Sequence, residues 1–300
     1  FTYSDPFITG GTVTSMGFTD VVGGLTVMQL SLFMPQLGLP APQFEAWLVN
    51  DNINAAFTAI LAGDDVIYGA GGGDLIHSYA GNDTLSGAGG ADTLYGGLGN
   101  DVIRANLPQT ENVGAPASTY LRGEEGDDVI QGGAGFDDIN GNMGNDTLHG
   151  NDGADWVVGG KDNDVQFGDS GNDVVWGNLG NDTLDGGDGA DQVRGGQGDD
   201  LLTGGTGDDF VSGDRGNDTE SGGAGADIFH GSQDAGIDRV LDFHLSEGDR
   251  VMLDPGTIFG VSQVGADTVI DMGTVNNQPN QMILVGGQMS TLTAGWIFGA

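Results

Sequence analysis

The sequence predicts an all-β chain wound into stacked coils, and three observations carry that expectation. Asp recurs every nine residues from Asp65 to Asp227, an apolar residue follows two positions after most of them, and glycine fills the stretch before each. The shared frame is G-G-x-G-x-D-x-U-x, with U apolar. One copy runs from Gly186 to Arg194 (Gly-Gly-Asp-Gly-Ala-Asp-Gln-Val-Arg) and the next from Gly195 to Thr203 (Gly-Gly-Gln-Gly-Asp-Asp-Leu-Leu-Thr). The 59 glycines among 300 residues have no G-X-Y triplet period, which excludes a collagen-like chain.

Residues 1–59 precede the repeat. Thr12–Ser15 and Leu25–Leu32 read as strands. Pro42–Leu48 and Ile53–Leu61 carry apolar residues at helical spacing, with Asp51 or Asn52 as N-cap. A small α+β N-terminal cap is expected. Leu30, Leu32, Phe33, Met34 and Trp47 are candidates for contact with another subunit.

With Asp65 at position six, the frame runs from Ile60 to His230, or nineteen nonads. Position six is Asp in 17 of them, Thr110 and Thr119 being the exceptions. Glycine at positions one to four permits positive φ and close passage of neighbouring chain, so positions one to six are expected to turn. Positions seven to nine are expected to be a strand whose middle side chain points inward while its neighbours point out. Two nonads make one coil of 18 residues, so the repeat supplies about nine to ten coils, roughly 45 Å of rod at the strand spacing. Residues 105–122 hold two poor frames, with Pro108 and Pro116. Their length of two nonads reads as a degenerate coil that keeps the register, a surface loop of matching length being the alternative. Residues 231–300 lack the frame. Val240–Phe243, Arg250–Leu253, Thr268–Met272 and Met282–Val285 read as short strands of a β-rich C-terminal cap, which an open coil end requires.

Stacking sets like charges in rows. Asp128 and Asp146 would lie about one strand spacing apart, repelling by roughly 0.9 kcal/mol in water and about 3.5 kcal/mol at an effective dielectric of 20. A divalent cation between turns reverses the sign. Carboxylates and backbone carbonyls are oxygen donors that suit calcium; magnesium wants tighter octahedral geometry. The candidate metal ligands are therefore Asp65, Asp74, Asp83, Asp92, Asp101, Asp128, Asp137, Asp146, Asp155, Asp164, Asp173, Asp182, Asp191, Asp200, Asp209, Asp218 and Asp227. About 15 ions are expected, weakly held and coupled to folding. The net charge of −37 disfavours nucleic acid as a partner. No apolar run reaches membrane-spanning length, and with no cysteine there can be no disulfide or thiolate zinc site.

The frames resemble those of RTX, or haemolysin-type, calcium-binding proteins. The likeness extends to Gly225–Phe229, Asp238–Phe243, Gly248–Val251 and the closing Leu292–Phe298. It implies a parallel β-roll (a right-handed β-solenoid) with calcium between coils. It also implies export by a type I system through an uncleaved C-terminal signal, hence an extracellular location. The family spans toxins, proteases, lipases, epimerases, adhesins and surface-layer proteins, and the repeat alone does not choose among them.

No catalytic constellation emerges. H-E-x-x-H and G-x-S-x-G are both missing from the sequence, and most acidic clusters fall inside the repeat turns. His77, His149 and His230 occupy position nine, read as exposed; His244 lies beyond the repeat. Glu220 sits at an inward position near the end, where a fraying last coil would explain it. Trp156, Val158, Val174 and Trp176 should share one outward patch, a contact surface for another subunit or a glycan. The expectation is a non-enzymatic, secreted calcium-binding protein with a structural role in a surface layer, filament or biofilm matrix, capable of self-association. The alternative is a C-terminal calcium-binding module of a larger secreted enzyme or toxin, which the start at Phe1 accommodates.

Overall fold

The computed structural model describes residues 15–22, 25–33, 61–69, 72–106, 117–232, 236–288, 290, 292 and 295–299. From Val66 onward the chain climbs as a parallel β-solenoid of about ten turns, and no α-helix occurs among the described residues. Successive nonads alternate between two sheets. Thr183–Asp188 and Leu201–Thr206 belong to a 15-stranded sheet, while Gln192–Gln197 and Phe210–Arg215 belong to an 11-stranded one. The 18-residue register is explicit: Leu184 pairs with Leu202, and Val193 with Val211.

Position eight builds the core, as its inward direction requires. Ile139, Val157, Val175, Val193 and Val211 stack in one sheet, facing Leu85, Ile103, Ile130, Leu148, Leu184 and Leu202 of the other, and each is at most 1% exposed. Burying one such leucine contributes about 1.5–3 kcal/mol, and the gain exists only because a neighbouring turn covers it. Position seven faces out, with Val66 62% and Leu75 63% exposed.

Several expectations change. From Thr183 to Ala224 the strands run six residues, so positions one to three continue the strand there and only four to six turn. The backbone pairing of Gly187 with Gly205 is what holds this extension. Across 105–122, of which 107–116 lie outside the described residues, the 18-residue register expected of a degenerate coil is not kept. Leu94 stacks directly on Leu121, and Ile103 on Ile130, each 27 residues apart rather than 18. One nonad's length is therefore added to a single turn, and every later frame changes sheets. Tyr120–Leu121–Arg122 is nonetheless a strand, as its sequence suggested.

Beyond the repeat the two sheets continue. Gly236–Val240 lies parallel on Thr219–Ala224, and Arg250–Leu253 on Ile228–Gly231. Gln278–Leu284 and Ile297–Phe298 add the next layer. Asp267–Val275 and Gly260–Val264 then fold back antiparallel, ending the parallel stack. The strand expected at Val240–Phe243 ends at Val240, because its pairing with Glu220 starts the strand earlier. Phe243 instead packs against Phe229 and Trp296. This layer covers Glu220, which is fully buried, so the last coil does not fray. Near the start, Ser15–Val22 pairs antiparallel with Leu25–Phe33. The first strand begins where Thr12–Ser15 was expected to end, since the partner strand and not the local run sets its span. The helices expected over Pro42–Leu48 and Ile53–Leu61 lie outside the described residues, apart from Leu61, which packs in the core.

Candidate metal centres

Each repeat aspartate closes a turn that glycine makes possible. At Gly198 φ is +144°, and a Cβ there would collide with the carbonyl oxygen of Gly180 one turn below. Glycine lets successive turns approach so closely, and Asp162, which stands in the same row, adopts a different positive φ of 74°. The aspartates then form two ladders, one on each edge of the solenoid. On one edge the backbone N–H of Asp146 donates to Asp164 Oδ1 (2.8 Å), that of Asp164 to Asp182 Oδ1 (2.8 Å) and that of Asp182 to Asp200 Oδ1 (2.8 Å). On the other, Asp155 donates to Asp173 Oδ1 (2.7 Å), Asp173 to Asp191 Oδ1 (2.7 Å) and Asp191 to Asp209 Oδ1 (2.8 Å). The 27-residue step appears here too, from Asp101 N–H to Asp128 Oδ1 (2.7 Å).

The second carboxylate oxygen is left over. Among the described residues, Oδ2 of Asp65, Asp83, Asp92, Asp101, Asp128, Asp146, Asp155, Asp164, Asp173, Asp182, Asp191, Asp200, Asp209, Asp218 and Asp227 is buried with no hydrogen-bond donor. A buried polar atom without a partner is costly, and a row of them signals a missing counter-charge. Burial pushes Asp128, Asp155 and Asp164 up to about 8 and Asp101, Asp173, Asp200 and Asp209 up to about 7. The N–H bond from the preceding turn pulls the other way, and neighbouring carboxylates add to the rise.

These oxygens meet backbone carbonyls at the position-one glycines. Where a Cβ on Gly204 would stand, Asp209 Oδ2 is 2.5 Å away and the Gly222 carbonyl oxygen 2.6 Å; at Gly150 the corresponding atoms are Asp155 Oδ2 (2.7 Å) and Gly168 O (2.5 Å). A carboxylate oxygen and a carbonyl oxygen thus crowd one small space, turn after turn. Hard oxygen donors of mixed carboxylate and carbonyl type are what calcium takes, six to eight at a time. No cluster of three or more histidine or acidic side chains that could hold a metal ion occurs among the described residues. Asp137 differs: its Oδ2 accepts the Gly133 N–H (2.6 Å), and Thr119, in a position-six slot, donates to its Oδ1.

The model of the RTX calcium-binding nonapeptide repeat matches this chain in overlapping stretches that together span residues 61–103 and 114–237, more than half its length. The chain belongs to the RTX calcium-binding repeat family. RTX repeats bind calcium. Among solved structures, a match is the AlgE6R3 subunit of the Azotobacter vinelandii mannuronan C5-epimerase in solution. It is 29% identical, covering 47% of this chain and 79% of that one, with a TM-score of 0.21. A search of curated proteins found no match.

Other features of the RTX turns are not visible in the nonad alone. Position five forms a ladder of its own on one edge: Asn100 N–H donates to Asn82 Oδ1 (2.8 Å), Asn145 to Asp127 (2.8 Å) and Asn181 to Asn163 (2.7 Å). The recurrence of Asn or Asp at positions 64, 82 and 100, then 127, 145, 163, 181, 199 and 217, was the available signal. The aspartate ladders also run past the repeat, with Asp218 N–H donating to Asp238 Oδ1 (3.2 Å) and Asp227 N–H to Asp249 Oδ1 (3.1 Å). The twin D-R-V segments at Asp238 and Asp249 mark this in sequence.

Position nine is not uniformly exposed. His77 and His149 are half-buried, but His230 is 8% exposed, with Nδ1 3.1 Å from Ser212 Oγ and Nε2 3.2 Å from Asp254 Oδ1. The layer of C-terminal strands over its turn buries it. Trp156 and Trp176 do share one face, their rings edge-on at 5.6 Å, and Val158 pairs with Trp176 between adjacent strands.

Proposed function

We propose that the seventeen position-six aspartates, Asp65 to Asp227, are ligands for about 15 calcium ions held between turns. One observation carries this reading: two ladders of buried carboxylates, most with an oxygen that nothing else in the described chain satisfies. Fixing such a solenoid without cations would bury a row of like charges, so calcium binding and folding are one event.

The protein is read as non-enzymatic and extracellular, a calcium-hardened rod with a structural role in a surface layer, filament or matrix. Membership of the RTX family supports the location, and abundant external calcium would let the chain order only after export. The absence of H-E-x-x-H and G-x-S-x-G from the sequence supports the non-catalytic role. No described helix is long and apolar enough to cross a membrane. The Trp156–Trp176 patch supports self-association, because an aromatic pair with Trp156 exposed and Trp176 partly so on one sheet face is a contact surface in search of a partner.

The test is a calcium titration of the full chain followed by circular dichroism and light scattering. Strand signal should rise cooperatively with calcium and collapse on chelation, and scattering should grow once the strand signal is complete. Full strand signal in excess chelator would defeat the calcium reading. Monodisperse rods at high concentration, with Trp156→Ala and Trp176→Ala behaving as the parent, would defeat self-association.

A further inference from the structure

One fully buried acid departs from the repeat. Glu220 stands at position eight, in the ladder where Leu184 and Leu202 precede it and Val240 follows. It is 0% exposed. Its Oε1 accepts the N–H of Gly213 (2.7 Å), while Oε2 has no donor among the described residues. Gly213 is position one of the frame that holds Asp218 at position six and Glu220 at position eight. The side-chain space that this glycine leaves open is filled by Asp218 Oδ2, also buried and also without a donor. Two carboxylates from one frame therefore converge on a single glycine, each presenting an unsatisfied oxygen.

A leucine would fit that slot at no electrostatic cost, as it does one turn earlier. A charged oxygen buried in its place calls for a cation. We propose that Glu220 is itself a calcium ligand, and that with Asp218 it forms a two-carboxylate site that binds more tightly than the single-carboxylate turns and fills first. The proposal rests on the calcium reading of the aspartate ladders. Its physical basis is that affinity rises with the number of charged ligands around the ion.

The chain carries its own neutral counterpart. Gln166 occupies the same ladder position, between Leu148 and Leu184, and is 0% exposed. Its Nε2 and Asp164 Oδ2 crowd the Cβ space of Gly159, as Asp218 Oδ2 crowds that of Gly213, but the amide adds no charge and donates to the Trp176 carbonyl (3.1 Å). That turn should bind like the ordinary ones.

Isothermal calcium titrations of the full parent chain and of Glu220→Gln decide the matter, with strand signal in saturating calcium as the check on folding. The parent should show a first ion on the order of tenfold tighter than the rest, and Glu220→Gln should lose that phase while keeping the weaker ions. A first phase unchanged by Glu220→Gln overturns the proposal. Should Glu220→Gln fail to order in saturating calcium, Gln166→Glu carries the test: a second tight ion is expected, and its failure to appear overturns the proposal. A parent chain that binds no calcium would sink the ladder reading as well, so the two failures are told apart by the parent isotherm alone.

Discussion

Asp182 does two jobs with one carboxylate. Its Oδ1 holds the Asp164 N–H at 2.8 Å and so fixes the turn below, while its buried Oδ2 has no donor among the described residues. Asp182→Asn separates these roles, because the amide oxygen still accepts the N–H while the charge disappears. In metal-depleted buffer the substitution removes a buried charge and should leave more residual strand signal than the parent keeps. In saturating calcium it removes a charged ligand and should lower stability by about 1 kcal/mol or more. Circular dichroism without metal and thermal melts with calcium should therefore shift in opposite senses, and shifts of the same sense would contradict a metal-facing role. Gly198→Ala tests the other half of the turn. With φ at +144° and the Gly180 carbonyl where Cβ must go, it should cost more than about 2 kcal/mol, whereas Leu201→Ser, on the outer face, should stay within about 0.5 kcal/mol in urea unfolding with calcium. Position six was legible because Asp repeats there in 17 of the nineteen frames. The position-five ladder was not read, because its unbroken series recurs only every 18 residues, while the other edge has such bonds only at Asn172 and Asp208 among the described residues.

Strands and ladders show where that legibility stops. The inward apolar position gave both core stacks directly, from Ile76 and Ile67 upward. The segment 105–122 misled because its length is a multiple of nine, and a multiple of nine preserves the frame whether the residues stack or loop out. Position five held the answer: the jump from Asn100 to Asp127 in an otherwise 18-residue series is the added nonad, seen in the structure as the 27-residue step. The C-terminal strands were legible as strands but not as further rungs, because Asp238 and Asp249 have lost the regular spacing while keeping the ladder bond. Within the core, the apolar packing divides at Gln166: Leu148 and Val157 belong to one cluster, Val175 and Leu184 to the next. Gln166→Leu would join them. It exchanges one hydrogen bond, and a buried Oε1 without a donor, for continuous aliphatic packing. The expected outcome is a gain of about 1 kcal/mol in calcium, measured by chemical unfolding, and a loss would mean that the amide serves the turn beside it.

The whole molecule is a competition between protons and calcium for the same oxygens. Burial raises many of the repeat carboxyls, to about 6 at Asp65, Asp92, Asp182 and Asp227 and to about 8 at Asp128, Asp155 and Asp164. In the unfolded chain the same groups titrate near 3.8. Without calcium, the folded state therefore binds more protons than the unfolded state from about pH 8 down to about pH 4, so acidification through that window stabilises the metal-free solenoid. With calcium the sign reverses, since protons displace the ion, and the calcium needed for half-folding should rise as pH falls from about 8 to 6. The −37 charge sharpens the contrast, because protons and calcium both relieve the repulsion that opposes compaction. Strand signal in metal-depleted buffer should be greater at pH 5 than at pH 8, and calcium added at pH 7 should release protons, visible as buffer-dependent heat in calorimetry. A strand signal independent of pH without metal, together with calcium binding that moves no protons, would mean that these carboxylates are not the groups the ion neutralises.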